Sequence, residues 1–173
     1  SKRQGNALIE PTKTWKNLDL MQLTGAVVAE WEALPSSQRP HEILVDSIGL
    51  GAGVVDRLRE LGLPVRGINV SESPAMGTTY KNLRAELWYK TKQWFEARDC
   101  RIPLDEELVA ELATVRYFFT SNGKIQIESK DDIRKRGLKS PDCADSFVLT
   151  FASDAAIGMF GANTAQQWSK PLK

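Results

Sequence analysis

Apolar residues at Leu20, Leu23, Val27, Trp31 and Leu34 recur at helical spacing and predict a helix from about Leu18 to Leu34. The pattern changes after a turn from Pro35 to Pro40. Glu42-Ile43-Leu44-Val45-Asp46 is a short apolar run ending in an acid, as expected of a buried strand. A Gly-rich loop, Ser47 to Gly53, leads into a helical pattern from Val54 to Leu61 and a second strand from Pro64 to Val70. Strand, helix, strand of this length is a βαβ unit, which favours a parallel pair with a right-handed crossover. Upstream, Asn6 to Glu10 reads as a strand, and Asp19 caps or opens the first helix. Downstream, a polar loop over residues 71–79 precedes helices from about Asn82 to Ala97 and Asp105 to Val115. Arg116 to Phe119 and Lys124 to Glu128 then flank Thr120-Ser121-Asn122-Gly123, a hairpin turn.

The last periodic segment carries the most chemistry. Ser140-Pro141-Asp142-Cys143-Ala144-Asp145 runs into the apolar Ser146 to Ala152. Ser140 suits an N-cap, and Pro141 suits the first helical turn, where its missing N–H costs nothing. Asp142 and Asp145 then share one face at i and i+3, close enough to hold one cation. Early aspartates also complement the positive end of a helix dipole, so that reading stays open. Asp46 stands at the carboxyl end of its strand, where open α/β sheets place ligands, although an acid there also forms turns. Asp46, Asp142 and Asp145 together suit Mg²⁺ or Mn²⁺. Carboxylates clustered without a cation repel each other, so Asp145→Asn is expected to raise stability in metal-free buffer.

In their order and spacing, DSIGLGAGVVDRL from Asp46, YKNLRAELWY from Tyr80, GKIQIESK from Gly123 and SPDCADSFVLTFA from Ser140 resemble the nuclease domain of tailed-phage terminase large subunits. The resemblance spans roughly residues 40–152. It implies an α/β, RNase H-like fold of the resolvase and integrase type, a mixed sheet flanked by helices. Residues 1–152 would form that domain, and 153–173 a C-terminal extension, expected to be mobile as chain termini commonly are. The implied activity is that of a metal-dependent endonuclease, a hydrolase that cleaves concatemeric double-stranded DNA during viral genome packaging. Two divalent cations would be bound by acids that map onto Asp46 and Asp145, with Asp142 one turn earlier as a neighbouring ligand. Such cations lie about 3.5 to 4 Å apart, one activating water and the other stabilising the departing oxyanion. The resemblance also implies an N-terminal ATPase domain in the full-length protein and, as partners, the portal protein and small terminase subunit. The place of work would be the cytoplasm of the infected or lysogenic bacterial host, not the virion. The chain departs from the pattern at one point. The first acid of the family lies on an opening strand, whereas Ser1 to Glu10 resembles the second strand, and Asp19 is in the wrong context. Inefficient cleavage is expected from Asp46, Asp142 and Asp145 alone.

A length of 173 residues and 42% hydrophobic content fit one compact domain. No apolar run reaches the ~20 residues of a membrane span, so no membrane partner is expected. Cys100 and Cys143 lack metal-site spacing. The net charge is only +1, yet Lys124, Lys130, Arg134, Lys135, Arg136 and Lys139 concentrate before the last helix. Lys130, Arg134, Lys135, Arg136 and Lys139 are the candidate contacts to DNA phosphates. The interleaved Glu128, Asp131 and Asp132 suit an ordinary solvated loop equally well. Trp88, Trp94 and Phe95 share helical spacing with Leu83 and Leu87 and are expected in the core. His41 is expected at the surface.

Two other functions use the same residues. Gly49-Leu50-Gly51-Ala52-Gly53 after a strand suggests a nucleotide-binding loop of the Rossmann type, with Glu72 near the ribose position. Against it, Val54 replaces the third glycine, Asp46 would repel a pyrophosphate, and no further βαβ units follow. A catalytically inactive DNA or portal docking domain on the nuclease fold is the second alternative.

Overall fold

The computed structural model describes residues 1–153. A short hairpin, β1 (Arg3–Gln4) and β2 (Ala7–Leu8), opens the chain. Helix α1 (Leu20–Glu32) follows. Asp19 starts it as expected: its carboxylate accepts the Gln22 N–H, and the Gln22 side chain accepts the Asp19 N–H. This capping box satisfies two otherwise unpaired donors.

The predicted βαβ unit is present. Strands β3 (Ile43–Asp46) and β4 (Val65–Ile68) pair in parallel, Ile43 opposite Val65 and Asp46 opposite Ile68. Helix α2 connects them and runs Leu50–Glu60, so it begins inside the Gly-rich loop, four residues before the predicted start. Glycine is required there. A Cβ on Gly51 would stand 1.7 Å from the Asp46 carbonyl oxygen, and one on Gly53 would stand 2.3 Å from Leu20 Cδ1. The glycines let α2 lie against β3 on one side and α1 on the other, which accounts for them without a bound phosphate.

Helix α3 (Leu83–Glu96) runs through the centre, with Ala85, Leu87, Trp88, Thr91 and Trp94 buried; Asn82 caps it by accepting the Ala85 N–H. Helix α4 (Glu106–Thr114) is capped by Asp105. The predicted hairpin appears as β5 (Tyr117–Phe119) and β6 (Ile125–Ile127). The basic stretch is partly helical: α5 (Lys130–Lys135) is a short helix capped by Ser129. The last helix among the described residues, α6 (Asp142–Leu149), buries Cys143, Ala144, Phe147 and Val148.

Among the described residues the strands form three two-stranded pairs, one parallel and two antiparallel. Single bridges tie the outer pairs to the rest, Ala7 to Arg101 and Tyr80 to Ile125. The core is aromatic where α3 meets α6. Trp94, Phe147 and Phe151 are almost fully buried and meet edge to face, with ring centroids 5.5–5.8 Å apart. Burying each ring stabilises by about 1.5–3 kcal/mol. The N-terminal segment is clamped to the same end of the molecule. Arg3 lies over the Phe151 ring at 4.4 Å and donates to the Thr150 carbonyl at 2.8 Å, and the Ser1 ammonium donates to Ser146 Oγ at 3.0 Å. His41 is exposed, as expected. No described helix is long and apolar enough to cross a membrane. The expectation for 153–173 falls, beyond Ser153, outside the described residues.

Candidate metal centre

Helix α6 carries two of the three predicted acids in its first turn, but its cap differs from the sequence expectation. Pro141, not Ser140, occupies the N-cap and makes no side-chain cap bond. The substitute comes from another helix: Glu111 of α4 accepts the Ala144 N–H at 2.8 Å. Burial raises the Glu111 carboxyl above its usual range. Ser140 is spent on the acid itself, its hydroxyl donating to Asp142 Oδ1 at 2.8 Å.

Asp145 is three-quarters buried and surrounded by donors. Its Oδ1 receives Arg84 Nη2 at 3.0 Å, Trp88 Nε1 at 3.1 Å and Arg84 Nε at 3.3 Å. Arg84 is the least exposed cation of the site and is fixed at its other end, where Nη1 donates to the Glu128 carbonyl at 2.8 Å. Lys130, at the start of α5, joins the two acids of α6. Its Nζ lies 3.0 Å from Asp142 Oδ1 and 3.4 Å from Asp145 Oδ2. Burial alone would lower the Lys130 pKa, but the paired carboxylates outweigh it and hold the ammonium above the usual lysine range. Asp142 is the converse. Burial would raise it, and the Ser140 hydroxyl and Lys130 bring it below the usual carboxylate range.

Asp46 is exposed at the carboxyl end of β3, and its Oδ1 accepts the Ile48 N–H at 3.2 Å, closing the turn into α2. Helix α6 packs against β3. Even so, the side chains of Asp46, Asp142 and Asp145 do not close into a three-ligand group. Among the described residues, the group of three His, Cys, Asp or Glu side chains whose ligand atoms all lie within 4.8 Å of one another is Glu107, Glu111 and Cys143. That trio has a structural explanation. Glu111 caps α6, and burial together with the neighbouring carboxylates pushes the Cys143 thiol up to about 11, so it stays protonated.

The donor set suits a hard divalent cation. Asp46, Asp142 and Asp145 offer only oxygen, and an ammonium already sits between the latter two. Arg84 and Trp88 are the site residues that sequence reasoning missed. Their spacing, i and i+4 on one helix face within the YKNLRAELWY segment, was the available signal.

The predicted phosphate-contacting cations are dispersed over local partners. Arg134 pairs with Asp131 at 2.9 Å and Lys135 with Asp132 at 2.8 Å, both on the exposed face of α5. Arg136 turns inward, bonding buried Glu128 and the Thr114 carbonyl, both at 2.9 Å. Lys139 is exposed.

No protein-family model matches the chain, and no curated protein sequence matches it. Solved structures do. The nuclease domain of the large terminase subunit of bacterial virus Sf6 superposes with a TM-score of 0.70 at 21% identity, covering 87% of this chain and 80% of that one. A point mutant of the Sf6 domain solved with manganese superposes equally well, at 20% identity over 87% of this chain and 81% of that one. This chain therefore has the RNase H-like α/β fold seen in the nuclease domain of a phage terminase large subunit.

Proposed function

We propose that this chain is the metal-dependent endonuclease domain of a viral DNA-packaging terminase large subunit, cutting concatemeric double-stranded DNA. The observation that carries the reading is the Lys130 ammonium seated between Asp142 and Asp145. This carboxylate pair already holds a cation, at the head of α6 in a terminase-nuclease fold. Asp46, Asp142 and Asp145 would hold two Mg²⁺ or Mn²⁺ ions, whose chemistry is to activate water and stabilise the leaving oxygen of a phosphodiester. The chain's own residues do the rest. Arg84 and Trp88 fix Asp145, while Lys130 counterbalances the charge of Asp142 and Asp145. Arg134, Lys135 and Lys139 face solvent on the neighbouring segment. Exposed pairs such as Arg134–Asp131 are worth about 0.2–1 kcal/mol, so these side chains can exchange their partners for DNA phosphates. The portal protein, the small terminase subunit and an ATPase domain of the same protein complete the proposed assembly, which works in the bacterial cytoplasm and is not a virion component.

A docking role on the same fold is the second reading. What favours it is that, among the described residues, Asp46 does not close with Asp142 and Asp145 into a three-ligand group. Separate Asp46→Asn and Asp145→Asn variants decide between them. Loss of EDTA-sensitive nicking in both supports the nuclease reading. Retention of the wild-type rate in both would remove these acids from the chemistry.

A further inference from the structure

Asp145 does not offer its two oxygens equally. Oδ1 takes three donors within 3.3 Å, all from α3. Oδ2 is held more loosely, hydrogen-bonded by Arg84 Nη2 and ion-paired with Lys130 Nζ, each at 3.4 Å. The donors on Oδ1 are themselves held. Arg84 follows the Asn82 cap of α3 and is tied by Nη1 to the Glu128 carbonyl at the end of β6. Trp88 lies one turn further along, 92% buried, with its ring 5.8 Å from the Arg84 guanidinium carbon. Lys130, in contrast, is half exposed on a short helix and is the donor that can leave.

We propose that Arg84 and Trp88 are positioning residues that fix the orientation of the Asp145 carboxylate chiefly through Oδ1, so that Oδ2, its more loosely held oxygen, is the one aimed at a cation in place of Lys130. This rests on the nuclease reading and adds to it the elements that aim the acid. A carboxylate locked in this way loses no rotational freedom on binding a cation. Hydrogen bonds of this kind behind a ligand are worth on the order of tenfold to a hundredfold in metal affinity or activity. Charge alone predicts the opposite. Arg84 repels a divalent cation, so an account without positioning expects metal to bind at least as tightly when Arg84 is altered.

The test is calorimetric titration of Mn²⁺ into the full chain and into two variants that keep the charge. Trp88→Phe removes one donor to Oδ1 and retains the ring. Arg84→Lys replaces the fork by a single point donor. Positioning predicts Mn²⁺ binding weaker by roughly tenfold in each, while melting in EDTA shows both variants folded. A merely structural role would lower the melting temperature and leave the dissociation constant of the folded protein unchanged. Binding within about twofold of wild type in both folded variants overturns the proposal alone. Absence of Mn²⁺ binding to the wild-type chain would overturn the nuclease reading and the proposal with it.

Discussion

Asp145 shows how a residue's place can be legible in a sequence while its energetics are not. Its place at i+3 from Asp142, at the head of an apolar helix, was legible in the sequence. Its partners were not, because Arg84 and Trp88 lie 61 and 57 positions away and meet it only through the packing of α3 on α6. The expectation that Asp145→Asn relieves repulsion is therefore reversed. Arg84, Trp88 and Lys130 surround the carboxylate, and an amide would leave the Arg84 guanidinium, only 15% exposed, without its charged partner. Asp145→Asn is predicted to lower stability in metal-free buffer by about 1–3 kcal/mol. Urea denaturation in EDTA measures this directly, and a more stable variant would restore the repulsion account. Asp46 kept the ambiguity it had in the sequence. It stands at the predicted strand end and also forms the turn that an acid there commonly forms.

At the scale of elements, periodicity located the helices and the parallel pair, whereas their ends depended on contacts that periodicity does not encode. Helix α2 begins at Leu50 because the glycines allow it to pass within contact of the Asp46 carbonyl. A run that resembled a phosphate loop is thus a packing device between β3, α2 and α1. Gly51→Ala, which would place a methyl against backbone, is predicted to destabilise by about 1–3 kcal/mol or more, read as a lower urea midpoint. A neutral outcome would mean that α2 can shift away from β3. The cap of α6 was similarly out of reach. Ser140 and Pro141 look like a local cap and first turn, yet the amide is satisfied by Glu111, 33 positions earlier. Helix α5 was hidden for another reason: at six residues it is too short for a period to show, and its Ser129 cap was its main signature.

Over the whole molecule, the fold class was legible from the βαβ unit and from the order of the motifs, and the arrangement of the strands was not. Isolated bridges tie β2 to Arg101 and β6 to Tyr80, neither of which belongs to another pair, and the buried core holds the rest together, which no local pattern specifies. The N-terminal segment adds a charge link of similar range. Glu30 of α1 accepts from Lys13 at 2.7 Å and Lys2 at 2.9 Å. Lys13 and then Lys2 hold its carboxyl at about 2, below the ordinary 4.5. Because the unfolded chain takes up this proton first, the contribution is complete above pH 4.5 and is lost as pH falls toward about 2. The loss of stability over that window is expected to be shallower in Glu30→Gln, and modest in salt because the lysines are partly exposed. Thermal melts from pH 5 to pH 2 check it, and parallel curves for the two proteins would refute the linkage.

The central claim is that the acids around α6 serve phosphodiester hydrolysis with divalent cations. Supercoiled plasmid incubated with the chain in Mn²⁺, Mg²⁺ or EDTA tests it most directly. The account predicts slow nicking in Mn²⁺ or Mg²⁺, none in EDTA and none with Asp145→Asn. DNA that is bound but left intact in both metals would contradict it and leave docking as the role of this fold.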